Sequence, residues 1–212
     1  MTHEVIISGG TLVDGTGAEE KRADVAIDNG RISRVGDLEG EQAGQTIDAT
    51  DKIVTPGFVD LHPHLDAQIA WDPEMRPSSY HGVTTALIGN CGVSFAPVSA
   101  GKSEYLAKLM EAVEDIAADA IIDGMPWNWE SYGEYLDTVQ SLKPTLNVVG
   151  LAGHSAIRFE AMGDKACDKD LQADEQELAR IVELVKESVA EGAVGFSTSR
   201  FLGHRVPDGR LT

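Results

Sequence analysis

Two cysteines in 212 residues, Cys91 and Cys167, are too few for a disulfide framework. Basic side chains are also scarce, with 17 Lys and Arg against 35 Asp and Glu, a formal charge of −18. Nucleic-acid binding needs clustered Lys and Arg that release phosphate counterions, and no such stripe occurs. The same negative field would repel an anionic membrane surface. No apolar run approaches the roughly 18 residues of a membrane helix. The N-terminus MTHEVIISGG lacks the basic stretch and long apolar run of a secretory signal. These absences lead to the expectation of a cytoplasmic protein with no nucleic-acid or membrane partner, whose thiols stay reduced and available to a metal. They set no oligomeric state. The 22 Gly and 8 Pro are too dispersed for a low-complexity chain, which leaves an ordinary globular class of one or two domains.

Residues 1–56 read as a small β module, one part of a β-sandwich. Val5-Ile6-Ile7 and Thr11-Leu12-Val13 read as two strands separated by Gly9-Gly10. Asn29-Gly30 is a type I′ turn signal, because both central residues of that turn need positive φ, and it joins Val25–Asp28 to Arg31–Val35. Gln45–Asp48 is a further strand. From Pro56-Gly57 onward the period changes. Apolar strands are expected at Phe58–His62, Val83–Asn90, Leu146–Ala152 and Ala193–Ser199. A helix is expected over Asp174–Glu191, capped by Asp174 with Glu177 and stopped by Gly192. Apolar strands alternating with helices predict an α/β fold of βα units around a parallel sheet, so residues 57–212 read as roughly half, strands one to four, of a TIM-like (β/α)8 barrel. Residues 98–144 exceed a single crossover helix. Their carboxylate-rich stretch, with Trp127, Trp129, Tyr132 and Tyr135, reads as a solvated helical insertion docked by an aromatic patch, or as a lid.

The chemistry begins at Phe58-Val59-Asp60-Leu61-His62, which runs into Pro63-His64. Alternation along a strand would put His62 and His64 on one face, close enough to share a metal, although a lone His-x-His also arises by chance at a surface. Pro63 offers no ladder donor and marks the strand's C-terminal end, where barrel active sites are built. Cys91 lies 29 residues after His62, close to one βα repeat, and its neighbours Asn90 and Gly92 mark a strand-to-loop exit. A metal would hold it as thiolate.

PGFVDLHPHLDAQ, GVTTALIGNCGVSFAP and GAVGFSTSR resemble the amidohydrolase superfamily, and specifically the N-acyl-D-amino-acid deacylase (D-aminoacylase) family, through nearly the whole chain. The resemblance implies a zinc centre of one or two ions to which His62, His64 and Cys91 belong. It also implies hydrolysis of an N-acyl-D-amino acid to a carboxylate and a free amino acid by metal-activated water. Many amidohydrolases bridge two metals with a lysine or glutamate on strand four. This chain has Gly195-Phe196-Ser197-Thr198 there, so a bridging Cys91 thiolate would fill the vacancy. Pro63 departs from the family's usual Thr. Two further histidines and a late catalytic aspartate are implied, none of them present up to Thr212. Only 156 residues follow Pro56, against about 250 for a full barrel, so the chain reads as the first part of a larger enzyme.

Asp66 is a candidate to orient an imidazole, or a helix-start carboxylate. Asn90 is a candidate neighbour of the site, and His154 is read as orienting a loop or as a ligand. Arg158, Arg200 and Arg205 are candidate cations for an anionic substrate, or partners of surface acids. Two other readings stand beside the deacylase. One is a cyclic-amide hydrolase of the dihydropyrimidinase or hydantoinase kind, which would carry the strand-four lysine. The other is a catalytically inactive fragment or binding module.

Overall fold

A computed structural model describes residues 2–114, 116–168 and 170–201, and the chain divides into two units, Met1–Gly57 and Phe58–Thr212. In the first unit the Asn29-Gly30 hairpin forms as expected, with φ of 52° and 69°, joining β2 (Lys21–Asp28) to β3 (Arg31–Gly36). The two strands expected before residue 14 are instead one, β1 (Thr2–Leu12), which pairs with β2 along its length. Gly9-Gly10 does not turn the chain. Gly9 takes φ +73° at a register shift, so the pair makes a bulge and the strand continues. On its other side β1 pairs in parallel with β4 (Gln42–Asp48) and then β5 (Ile53–Val54). These strands form a single sheet, and Ile6, Ala26 and Leu38 form its small core.

The second unit carries four parallel strands in sequential order: β6 (Phe58–Asp60), β7 (Val83–Ile88), β8 (Asn147–Gly153) and β9 (Gly195–Ser197). β6 and β7 stop two residues short of their expected C-terminal ends, β8 is displaced by one residue from the expected Leu146–Ala152, and β9 is trimmed at both ends. Helices α1 (Ser103–Glu114), α2 (Ala118–Gly124) and α3 (Tyr132–Ser141) lie between β7 and β8, and α4 (His154–Met162) and α5 (Glu175–Ala190) between β8 and β9. The α5 capping box is present, Asp174 accepting from the Glu177 amide while Glu177 accepts from that of Asp174. Ala86 and Ile88 of β7 and Ala152 of β8 are buried in one core with Leu106, Leu109, Met110 and Ile121. Phe58, Val59 and Phe196, by contrast, are exposed on the two outer strands.

Trp129, Tyr132 and Tyr135 are buried in the main core, and the Trp129 indole N–H donates to the Phe95 carbonyl at 2.8 Å. The aromatic positions drive α3 into the barrel layer, while most of the carboxylates stay outside. Among the described residues no helix is long and apolar enough to cross a membrane.

Candidate metal centre

β6 stops at Asp60, short of the histidines, for two local reasons. The Asp60 carboxylate accepts the His62 N–H at 3.1 Å, a side-chain bond that competes with the ladder, and Pro63 has no N–H to pair. His62 and His64 therefore stand on a turn leaving the strand's C-terminal end, and the strand alternation expected of them is replaced by turn geometry. Their ring centroids lie 5.4 Å apart.

β7 likewise ends before Asn90. Gly89 takes φ +80°, and a Cβ there would sit 2.1 Å from the Leu151 carbonyl oxygen, so only glycine fits. A single 3₁₀ turn, Asn90–Gly92, follows, with Cys91 itself left-handed at φ 57°, ψ 19°. This reversal brings the Cys91 sulfur to 3.1 Å from His62 Nε2. One donor atom each from His62, His64 and Cys91 lies within 4.8 Å of the others. Ligand atoms 2.0–2.3 Å from one zinc ion stand at most roughly twice that apart, and two imidazoles with a thiol are a zinc-type donor set. The residues fit a metal of that kind.

The electrostatics point the same way. Burial, and then the nearby Glu114 carboxylate, push the Cys91 thiol above its ordinary value, a penalty that a bound cation would reverse. Glu114, the last residue of α1, brings a carboxylate oxygen to 3.4 Å from His64 Nδ1. That is an ion-pair distance, longer than a well-formed hydrogen bond. Burial raises the Glu114 carboxyl as well. Nothing in the sequence marks Glu114 among the acids of its stretch, because only packing of α1 decides which carboxylate reaches inward.

Asp66 is fully buried and accepts the Gly89 N–H at 2.7 Å, while its other carboxylate oxygen has no hydrogen-bond partner among the described residues. Burial, opposed by the Gly89 bond and assisted by Glu114, pushes it up to about 7. It holds the Cys91 loop, where the sequence suggested an imidazole partner. Asn90 is buried, and its amide donates to the Pro63 carbonyl at 3.3 Å, tying the two site loops together. His154 opens α4, with its ring edge-on to Phe196 and Nδ1 3.2 Å from the Thr198 hydroxyl. Burial, and then Arg158, lower its pKa. The Arg158 guanidinium donates to the Asp168 and Leu171 carbonyls, so it fastens the segment before α5. Arg200 is exposed beyond β9, and Arg205 lies outside the described residues.

The chain is 33% identical to a D-aminoacylase of Alcaligenes xylosoxydans xylosoxydans over 200 residues, covering 93% of this chain and 38% of that protein. It is 32% identical to an N-acyl-D-glutamate deacylase of the same organism, covering 92% and 37%. Among solved structures it resembles an N-acyl-D-glutamate deacylase of Bordetella bronchiseptica, complexed with zinc and a phosphonate mimic of the tetrahedral intermediate, with a TM-score of 0.78 and 32% identity over 93% of this chain and 38% of that one. A D-aminoacylase described as having a binuclear metal centre superposes with a TM-score of 0.77 at 30% identity, over 98% and 41%. The chain thus spans a little over a third of the length of these relatives. Residues 45–209 match the amidohydrolase family model, and the chain belongs to that family.

Proposed function

We propose that this chain supplies one wall of the metal centre of a zinc-dependent N-acyl-D-amino-acid deacylase, which hydrolyses a linear amide to a carboxylate and a free D-amino acid. The observation that carries the proposal is the meeting of His62, His64 and Cys91 donors within 4.8 Å at the C-terminal mouth of adjacent parallel strands. Relatives named as D-aminoacylase and N-acyl-D-glutamate deacylase support the substrate class. In this reading, residues 1–56 are part of a sandwich, and residues 57–212 are the first four strands of a (β/α)8 barrel with a helical insertion at 98–144.

When bound, the divalent metal supplies an acidified water and a Lewis acid for the amide carbonyl. The protein's own residues do the rest of the work on this wall. His62 and His64 offer neutral imidazole nitrogens, and Cys91 offers a thiolate. Glu114 beside His64 Nδ1 favours the tautomer protonated there, which would leave Nε2 as the nitrogen free to hold a metal. The carboxylate that takes a proton from water and passes it to the leaving amine belongs, in this reading, to a part of the barrel outside residues 1–212. A reducing cytoplasm would keep Cys91 available as a ligand.

The test uses the full-length protein carrying this sequence, assayed on N-acyl-D-amino acids, their L enantiomers and a hydantoin. The expected result is hydrolysis of the D substrates, lost on chelation and restored by zinc. Turnover of the hydantoin alone would favour a cyclic-amide hydrolase, and no metal-dependent turnover of any of them would sink the enzymatic reading.

A further inference from the structure

The turn Gly89–Gly92 is shaped from outside itself. Ser197, the last residue of β9, brackets it with one hydroxyl, which donates to the Gly89 carbonyl oxygen and accepts the Gly92 N–H at 3.0 Å. On the opposite side Asp66 accepts the Gly89 N–H, and Asn90 ties the turn to Pro63, between the two histidines. These three side chains hold the residues on either side of Cys91, whose left-handed backbone is strained for a residue with a Cβ and persists only when its surroundings over-determine it. The space is tight, since a Cβ on Gly92 would lie 3.2 Å from the Thr198 Cα. A hydroxyl suits the Ser197 position because a small side chain must both donate and accept there.

We propose that Ser197 is a positioning residue that presets Cys91 for metal, so that the ion binds a turn already formed and need not order one. The proposal rests on the reading of Cys91 as a ligand. Without the hydroxyl, the Gly89 carbonyl and the Gly92 amide both lose a partner, and Cys91 can relax toward an ordinary φ, away from His62. Affinity gained by preorganisation is then lost.

Cadmium, which absorbs in the near ultraviolet when bound by thiolate, is the probe, titrated into the metal-free full-length protein. The wild type should show the thiolate band and Cys91→Ser should lose it. If the wild type shows no band, or Cys91→Ser keeps it, the ligand reading itself fails, whatever Ser197 does. With that reading standing, Ser197→Ala should weaken cadmium binding by about tenfold or more and diminish the band, while Ser197→Thr, which keeps the hydroxyl, restores both. Equal affinity and an equal band in Ser197→Ala would overturn the proposal. A measurement independent of any variant is hydrogen exchange of the metal-free wild type. The Gly92 amide, whose N–H the Ser197 hydroxyl accepts, should already be protected, and its exchange at the solvent-exposed rate would show that metal, not Ser197, forms the turn.

Discussion

His62 Nε2 and Cys91 Sγ stand 3.1 Å apart across 29 residues of chain, joined by two loops that leave neighbouring parallel strands on the same side of the sheet. Neither residue is on its strand. β6 is cut short by the Asp60 carboxylate and Pro63, and β7 by the left-handed Gly89. The candidate metal site is thus a property of two turns held over a parallel sheet.

Cys91→Ala should abolish tight zinc binding. A directly ligating atom is lost, so affinity should fall by more than the roughly 10–100-fold typical of changes outside the ligand set. Zinc per protein after dialysis is the measurement. Unchanged zinc content, with deacylase activity retained, would remove the thiolate from the site.

Glu114→Gln should weaken metal binding by about tenfold while leaving the fold intact, because a neutral amide favours the His64 tautomer less strongly than a carboxylate does. Competition against a chelator of known affinity reads this directly. An affinity equal to wild type would mean that the 3.4 Å contact does nothing for His64.

Asp66→Ala and Asp66→Asn should separate. Alanine leaves the buried Gly89 amide without its acceptor, a loss of about 1–3 kcal/mol, whereas asparagine keeps an acceptor oxygen and carries no charge to bury. Urea denaturation at pH 7 should rank asparagine well above alanine. Equal stability would show that the Gly89 bond is dispensable.

The first unit should carry its own pH dependence through His3, which is buried between Asp28, 2.7 Å from Nδ1, and Glu41, 3.0 Å from Nε2. The Asp28 and Glu41 hydrogen bonds raise the His3 pKa above 6.5. Protonated His3 therefore stabilises the fold fully below pH 6.5, and that contribution disappears as pH rises through the raised value. Asp28, held down to about 2 by Ser33 first and then His3, gives stability above 3.8 that is lost as pH falls toward 2. His3→Gln should flatten the neutral-to-alkaline limb of a stability–pH profile. An unchanged limb would mean that the pair is not coupled to folding.

Much of this was readable from local signals. Asn29-Gly30 announces its hairpin because few other dipeptides accept two positive φ values. Asp174 with Glu177 announces α5 because the two side chains satisfy amides within one turn. His62, Pro63, His64 and Cys91 stand out by residue type and by a spacing close to one βα repeat. Other features were not readable. Gly9-Gly10 looks like a turn, but pairing with β2 on both sides of the bulge, with β4 up to Ser8 and with β5 from Thr11, carries the strand through it. The acidic stretch does not show which of its carboxylates turns inward until the packing of Leu106, Leu109 and Met110 aims the end of α1, and with it Glu114, at His64.

The sequence by itself determined the chemistry available, two imidazoles and a thiol near the ends of strands, because residue identity and local spacing are fixed by the chain alone. It also determined the alternation of apolar strands and helices that makes a parallel sheet. Only the tertiary structure decided which of many carboxylates and hydroxyls serve the site. Glu114 reaches His64 from α1, and Asp66, from the loop after β6, and Ser197, from β9, reach the glycines on either side of Cys91, because the order of strands in the sheet puts distant segments side by side.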